Sequence, residues 1–215
     1  MREIFGIIGL IILGYLFGSI PYGWFFGKLY GVDLKKIGSG GIGFTNALRA
    51  LGPKKAAPVV ILDLGKGYLP TFMAWNFFNT PWITVAVATS TILGSVFPVW
   101  LRFRGGKGVT VFLGILAVLL PIKIWILMMI SWGIILLLTR VMSTTNLLLV
   151  ACFFAGNWFL FHSPSYLLFG FLVVVIIGWS HRENIVNAYK GKERIVKEIP
   201  DLSNYWRKIR KRPRS

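Results

Sequence analysis

Three short clusters of glycine, hydroxyl and basic residues punctuate an otherwise apolar chain. They are Ser39-Gly40-Gly41-Ile42-Gly43-Phe44-Thr45-Asn46 followed by Arg49, then Arg104-Gly105-Gly106-Lys107-Gly108, and His181-Arg182-Glu183-Asn184. Such residues hold anions. Glycines lack a Cβ, so backbone N–H groups can crowd around an oxyanion. Thr45-Asn46 can open a short helix whose positive dipole end faces the same guest. Arg49, one turn on, adds a rigid fork of donors. Gly105-Gly106-Lys107-Gly108 offers a second helix start with an ammonium beside it, but without the spacing of a nucleotide-binding P-loop. Two such loops on one face would hold two anionic groups or one highly charged transition state. His181 and Asn184, three residues apart, share a face if the helix continues and could bind phosphate or hydroxyl groups. Each cluster also has a plainer reading: an interfacial turn with arginine among lipid headgroups, or a histidine anchoring a helix end.

Other chemistries are missing from the pattern. No His, Cys or carboxylate set has metal-ligand spacing, and no serine elbow comes with Asp and His partners. Neither a metal nor a cofactor is expected. Chemistry here must rest on positioning and electrostatics, with a substrate that arrives already activated. Asp63 and Lys66 lie three apart inside an apolar segment, where a charge is costly unless paired. Mutual pairing is the expected role, with a Lys66 directed toward the site as the other possibility.

The elements that must carry these clusters are set by composition. The 215 residues are 55% hydrophobic and 14% charged, with a mean hydropathy of +0.69, too apolar for an ordinary soluble domain. The net charge of +17 would suggest nucleic acid in a soluble protein; here the basic residues fall between apolar spans, so no nucleic-acid partner is needed. A lone cysteine, Cys152, excludes an intrachain disulfide. The first apolar run is long enough to span and lacks a small-residue cleavage site, so it reads as a helix rather than a cleaved signal.

Apolar segments cover 4–27, 56–78, 82–101, 109–138 and 141–180, the last broken by Phe161-His162-Ser163-Pro164-Ser165 into 144–160 and 166–180. As one helix, 109–138 would run about 45 Å against a hydrocarbon core of about 30 Å, with Pro121 and Lys123 near its middle. Two helices meeting at Leu120-Pro121-Ile122-Lys123 fit better. The expectation is therefore an all-α integral membrane protein, a seven-helix bundle with short cytoplasmic loops. Seven crossings put every Lys and Arg except Arg2, Lys66 and Lys123 on one face, which assigns the N-terminus outside and the C-terminus to the cytoplasm. The bundle would occupy 1–189 and a basic cytoplasmic tail 190–215, the tail either simply solvated or drawn to anionic lipid headgroups.

The order of motifs resembles the bacterial acyl-phosphate:glycerol-3-phosphate acyltransferase family. The resemblance rests on Gly18-Ser19-Ile20, Gly38-Ser39-Gly40 with Thr45-Asn46 and Arg49, Asp63-x-x-Lys66-Gly67, Pro98 with Phe103 and Gly105-Gly106-Lys107-Gly108-Val109, and His181-Arg182-Glu183-Asn184-Ile185. It implies a seven-helix enzyme of the bacterial inner membrane. That enzyme moves a fatty acyl group from acyl phosphate to the 1-hydroxyl of glycerol-3-phosphate, giving lysophosphatidic acid and phosphate. It implies further that Ser39 and Lys107 are catalytic. Ser39, Gly40, Gly43, Thr45, Asn46, Arg49, Gly105, Gly106, Lys107, His181 and Asn184 would bind substrate, with Asp63 and Lys66 as support.

Three positions depart from the family pattern. Gly41 stands where the family has asparagine, Phe44 where it has alanine, and Ser95, within Gly94-Ser95-Val96-Phe97-Pro98, where it has histidine. Gly41 lacks a side-chain amide, Phe44 adds bulk, and Ser95 cannot serve as a base near neutral pH. Two competing readings follow: a divergent paralogue with another acceptor or little activity, and a non-enzymatic membrane protein that binds anionic lipid or phosphate.

Overall fold

The computed structural model describes residues 1–38 and 40–196. Ten α-helices are present among them and no strand, as the apolar runs require when every backbone group must find a partner inside its own segment. They are α1 (Arg2–Gly18), α2 (Tyr22–Leu29), α3 (Phe44–Leu51), α4 (Pro53–Phe78), α5 (Pro81–Val96), α6 (Val109–Leu119), α7 (Ile122–Thr139), α8 (Met142–Gly156), α9 (Pro164–Ser180) and α10 (Arg182–Tyr189). A π-helical turn, Asn157–Phe161, extends α8.

Prolines and glycines set most of the boundaries. Pro53, Pro81 and Pro164 open α4, α5 and α9, where the missing N–H costs nothing. Pro121 separates α6 from α7, so the long apolar run is indeed two helices. The first apolar run is also divided, at Ser19–Pro21, between α1 and α2. Each remaining apolar segment of the sequence is helical.

By length and apolarity, Arg2–Leu29, Pro81–Leu101 and Ile122–Thr139 are able to cross a membrane. The pair α9 and α10, bent by 65°, adds a fourth candidate. The eleven residues of α6 reach about 16 Å, short of a full hydrocarbon core.

Small residues allow the helices to close on one another. A Cβ on Gly18 would lie 2.2 Å from the Thr91 carbonyl oxygen, and one on Gly94 would lie 2.1 Å from that of Tyr15, so α1 and α5 touch backbone to backbone. Gly67 and Gly114 do the same for α4 and α6, at 1.9 Å from Val111 O and 2.0 Å from Leu64 O. Small residues at such crossings are how helices gain packing where lipid offers no hydrophobic contrast. The main core joins α5, α6, α8 and α9, and Phe112, Phe153 and Phe169 meet at its centre with ring centroids 5.4 to 6.2 Å apart. No residue of α7 is fully buried; that helix lies along the flank.

Beyond α10 the chain returns to the bundle, where Val196 N–H donates to Arg140 O at 2.8 Å. The basic tail from residue 197 and the proposed catalytic Ser39 lie outside the described residues.

Candidate active site

The two glycine clusters meet. Gly105 and Gly106 turn back on the end of α5, their N–H groups donating to Val96 O and Ser95 O at 3.1 Å each. A Cβ on Gly105 would fall 2.4 Å from Ser95 O and 2.3 Å from Pro98 Cδ, so only glycine allows that approach. One on Gly106 would come 4.0 Å from Cα of Gly43, in the other cluster. Tyr15 Oη, donating to Phe97 O at 2.8 Å, holds the end of α5 from the α1 side.

Asn46 organises the loop before α3. It is 2% exposed, and its Nδ2 is directed at the carbonyls of Leu34, Ile37 and Gly41 at 2.9, 3.1 and 2.7 Å. A buried amide that gathers three loop carbonyls fixes the shape of the loop. Gly40, Gly43, Thr45 and Arg49 line the resulting cavity of about 750 Å³, as do Gly105, Gly106, Lys107 and Asn184. Among the described residues nothing accepts a hydrogen bond from the Arg49 guanidinium.

Lys107 Nζ donates to Asn184 Oδ1, and Asn184 Nδ2 donates at 2.8 Å to Glu193 Oε1, which also accepts from Ser143 Oγ at 2.7 Å. Glu193 therefore decides which way the Asn184 amide faces: nitrogen to the carboxylate, oxygen to the ammonium. Burial brings the Lys107 pKa down to about 8, with the nearby Arg49 and Arg194 charges pushing the same way and Glu193 and Glu183 opposing. Arg49 and Lys107 thus bring two positive charges to the wall of one cavity.

Sequence reasoning missed Glu193, nine residues past Asn184 and outside any recognised cluster. Only the return of the chain over α10 brings it to the site.

His181 is placed differently. It is fully buried at the α9–α10 bend and does not line the cavity. Its Nδ1 donates to Ile177 O at 2.9 Å, leaving Nε2 a buried acceptor that meets no donor among the described residues. Burial and the Lys107 charge lower its pKa to about 4, so the ring is neutral near pH 7. Asp63 and Lys66 form an ion pair of 2.7 Å, with Lys66 Nζ also donating to Ile20 O at 2.8 Å and lying over the Tyr22 ring. The pair ties α4 to the carbonyl freed by the break between α1 and α2. The three departing residues, Gly41, Phe44 and Ser95, all line the cavity.

A cavity walled by two glycine loops has Arg49 and Lys107 in its lining. A family profile described as Glycerol-3-phosphate acyltransferase matches residues 8–191. The chain belongs to the glycerol-3-phosphate acyltransferase family.

Family members named glycerol-3-phosphate acyltransferase include one from Thermus thermophilus, 39% identical over 87% of this chain and 94% of that protein, and one from Prochlorococcus marinus, 36% identical over 86% and 95%. The fold resembles the crystal structure of PlsY (YgiH), an integral membrane glycerol 3-phosphate acyltransferase, in its glycerol 3-phosphate form. The TM-score is 0.85 at 32% identity, covering 89% of this chain and 96% of that one. The lysophosphatidic acid form of the same acyltransferase gives a TM-score of 0.82 at 31% identity, covering 88% of this chain and 95% of that one. Family membership favours the enzymatic reading over a non-enzymatic binding protein.

Proposed function

We propose that this protein is a membrane glycerol-3-phosphate acyltransferase of phospholipid synthesis that draws its acyl group from acyl phosphate. The observation that carries the reading is a single cavity with two chemistries. Arg49, Lys107 and two glycine loops line it ahead of α6, and Leu113, within α6, lines it with Trp125 and Met129 of α7. A ligand with an anionic head and an apolar tail matches both at once.

In the reaction, the 1-hydroxyl oxygen of glycerol-3-phosphate bonds to the acyl carbonyl carbon while the bond from that carbon to the phosphate oxygen breaks. The hydroxyl proton leaves on the released phosphate. A mixed anhydride needs no covalent enzyme intermediate when the hydroxyl is held in line. Lys107 stabilises the leaving phosphate, and Arg49 with Asn184 holds glycerol-3-phosphate. Asn46 shapes the loop, and His181 supports the turn that presents Asn184. Ser39 keeps the catalytic assignment that its sequence pattern implies.

The bundle crosses a bacterial inner membrane seven times, with the cavity mouth on the cytoplasmic face and the N-terminus outside. That topology is supported by the one-sided distribution of basic residues.

The deciding experiment incubates purified full-length protein with palmitoyl phosphate and, separately, glycerol-3-phosphate, dihydroxyacetone phosphate or glycerol, measuring phosphate release and lipid product. Lysophosphatidic acid formed only with glycerol-3-phosphate is expected. Phosphate release that never yields an acylated acceptor would defeat the proposal.

A further inference from the structure

Beyond the phosphate-binding end, the cavity continues as an arm between α6, α7 and α8. We infer that the Trp125 indole is the stop of this arm and sets the longest acyl chain the enzyme accepts, an inference that rests on the acyltransferase reading above.

The lining residues of α7 are Trp125, Met129 and Trp132, spaced i, i+4 and i+7, one stripe of a single helix face. From Trp132 to Trp125 that stripe descends about 10 Å. Polar groups mark its upper end: Asn146 Oδ1 accepts from Trp132 Nε1 at 3.0 Å, and Ser143 stands one turn nearer the mouth on α8. Below them the wall is sulfur, indole and aliphatic carbon.

The arm ends where α6 and α7 are pinned together. Trp125 Nε1 donates to Leu113 O at 3.0 Å, and Leu113 is the last residue of α6 on the cavity wall. The next turn of α6 holds Leu116, fully buried in the core. A tied indole cannot swing aside as a free side chain would, so its ring presents a fixed floor to whatever enters from the Lys107 end. Because the same cavity holds the cationic cluster, the occupant of the arm is the chain of a lipid whose head is phosphate. A floor at fixed depth discriminates by length: each added methylene must displace the indole or remain outside apolar contact.

The test uses full-length protein in lipid nanodiscs with glycerol-3-phosphate and a series of saturated acyl phosphates of about 12 to 18 carbons. The readouts are kcat/KM for each chain and KM for glycerol-3-phosphate. Trp125→Ala is expected to raise the ratio of the longest to the intermediate chains roughly tenfold, with KM for glycerol-3-phosphate unchanged. Met129→Trp, which shortens the arm from the same helix face, is expected to move the optimum to shorter chains, and it decides the matter if Trp125→Ala does not fold. An active enzyme whose chain-length profile is the same in wild type and in the folded variants overturns the stop alone. A wild type that transfers no acyl chain of any length overturns the stop together with the reading beneath it.

Discussion

Two lysines drawn away from bulk water show how differently one side chain can be used. Lys66, 4% exposed within α4, is saturated by its own protein: a carboxylate at 2.7 Å, the Ile20 carbonyl and the Tyr22 ring. Lys107, in the loop before α6, has one amide oxygen, an arginine for a neighbour and an open cavity in front. An ammonium carries three donors. Lys66 uses them to hold helices together, while Lys107 donates to one side-chain acceptor among the described residues and, in the proposed reaction, turns its other donors to the ligand. A buried charge is therefore assigned by what remains unsatisfied around it rather than by burial.

That contrast is broken most directly by removing each cation. Lys107→Ala is expected to lower kcat for acyl transfer by roughly a hundred- to a thousandfold, the scale of losing one transition-state donor. Its thermal unfolding midpoint in detergent should match wild type, and wild-type turnover would end the proposed role.

Lys66→Ala should do the reverse, lowering stability by about 3 to 5 kcal/mol because Asp63 is left buried without its partner. Adding Asp63→Leu to Lys66→Met should recover most of that loss, since an apolar pair of similar size carries no uncompensated charge. Thermal melts of the single and double variants, with turnover of the folded fraction, would separate the two lysines.

A smaller effect concerns pH. Lys107 with a pKa of about 8 is cationic below that value and neutral above it, so log kcat/KM should fall as pH rises through about 8. Glu193 raises that pKa, so Glu193→Gln should bring the basic limb to lower pH. A limb that does not move would detach Glu193 from the site. The smallest change is expected from Phe44→Ala. Phe44 lines the cavity and also packs on the small core of Leu34, Ala47, Ala56 and Val59. Its truncation should alter KM for glycerol-3-phosphate by no more than about tenfold, read from initial rates with acceptor varied.

Much of the fold and part of the site were legible in the residues. Proline positions and span lengths predicted the helix division at Pro121, because a ring without N–H must end a helix where the apolar run is too long to be one span. The break at Ser19–Pro21 was missed because a continuous apolar run masks it; its compensation, Lys66 donating to Ile20 O, comes from another helix. Arg49, Lys107 and Asn184 were picked out through their neighbours in sequence, and all three line the cavity. His181 was grouped with Asn184 by spacing, yet the sharp turn between α9 and α10 buries one and exposes the other to the cavity.

The chain by itself determined that it must be helical, apolar outward and charged at its loops, since the hydrophobic run lengths and local turn chemistry act over a few residues at a time. Which groups face one another was decided only in three dimensions. Glu193 reaches Asn184 because the chain doubles back, and Trp125 meets Leu113 because α7 turns back on α6 at Pro121. Such contacts depend on distances between elements, which no local pattern encodes.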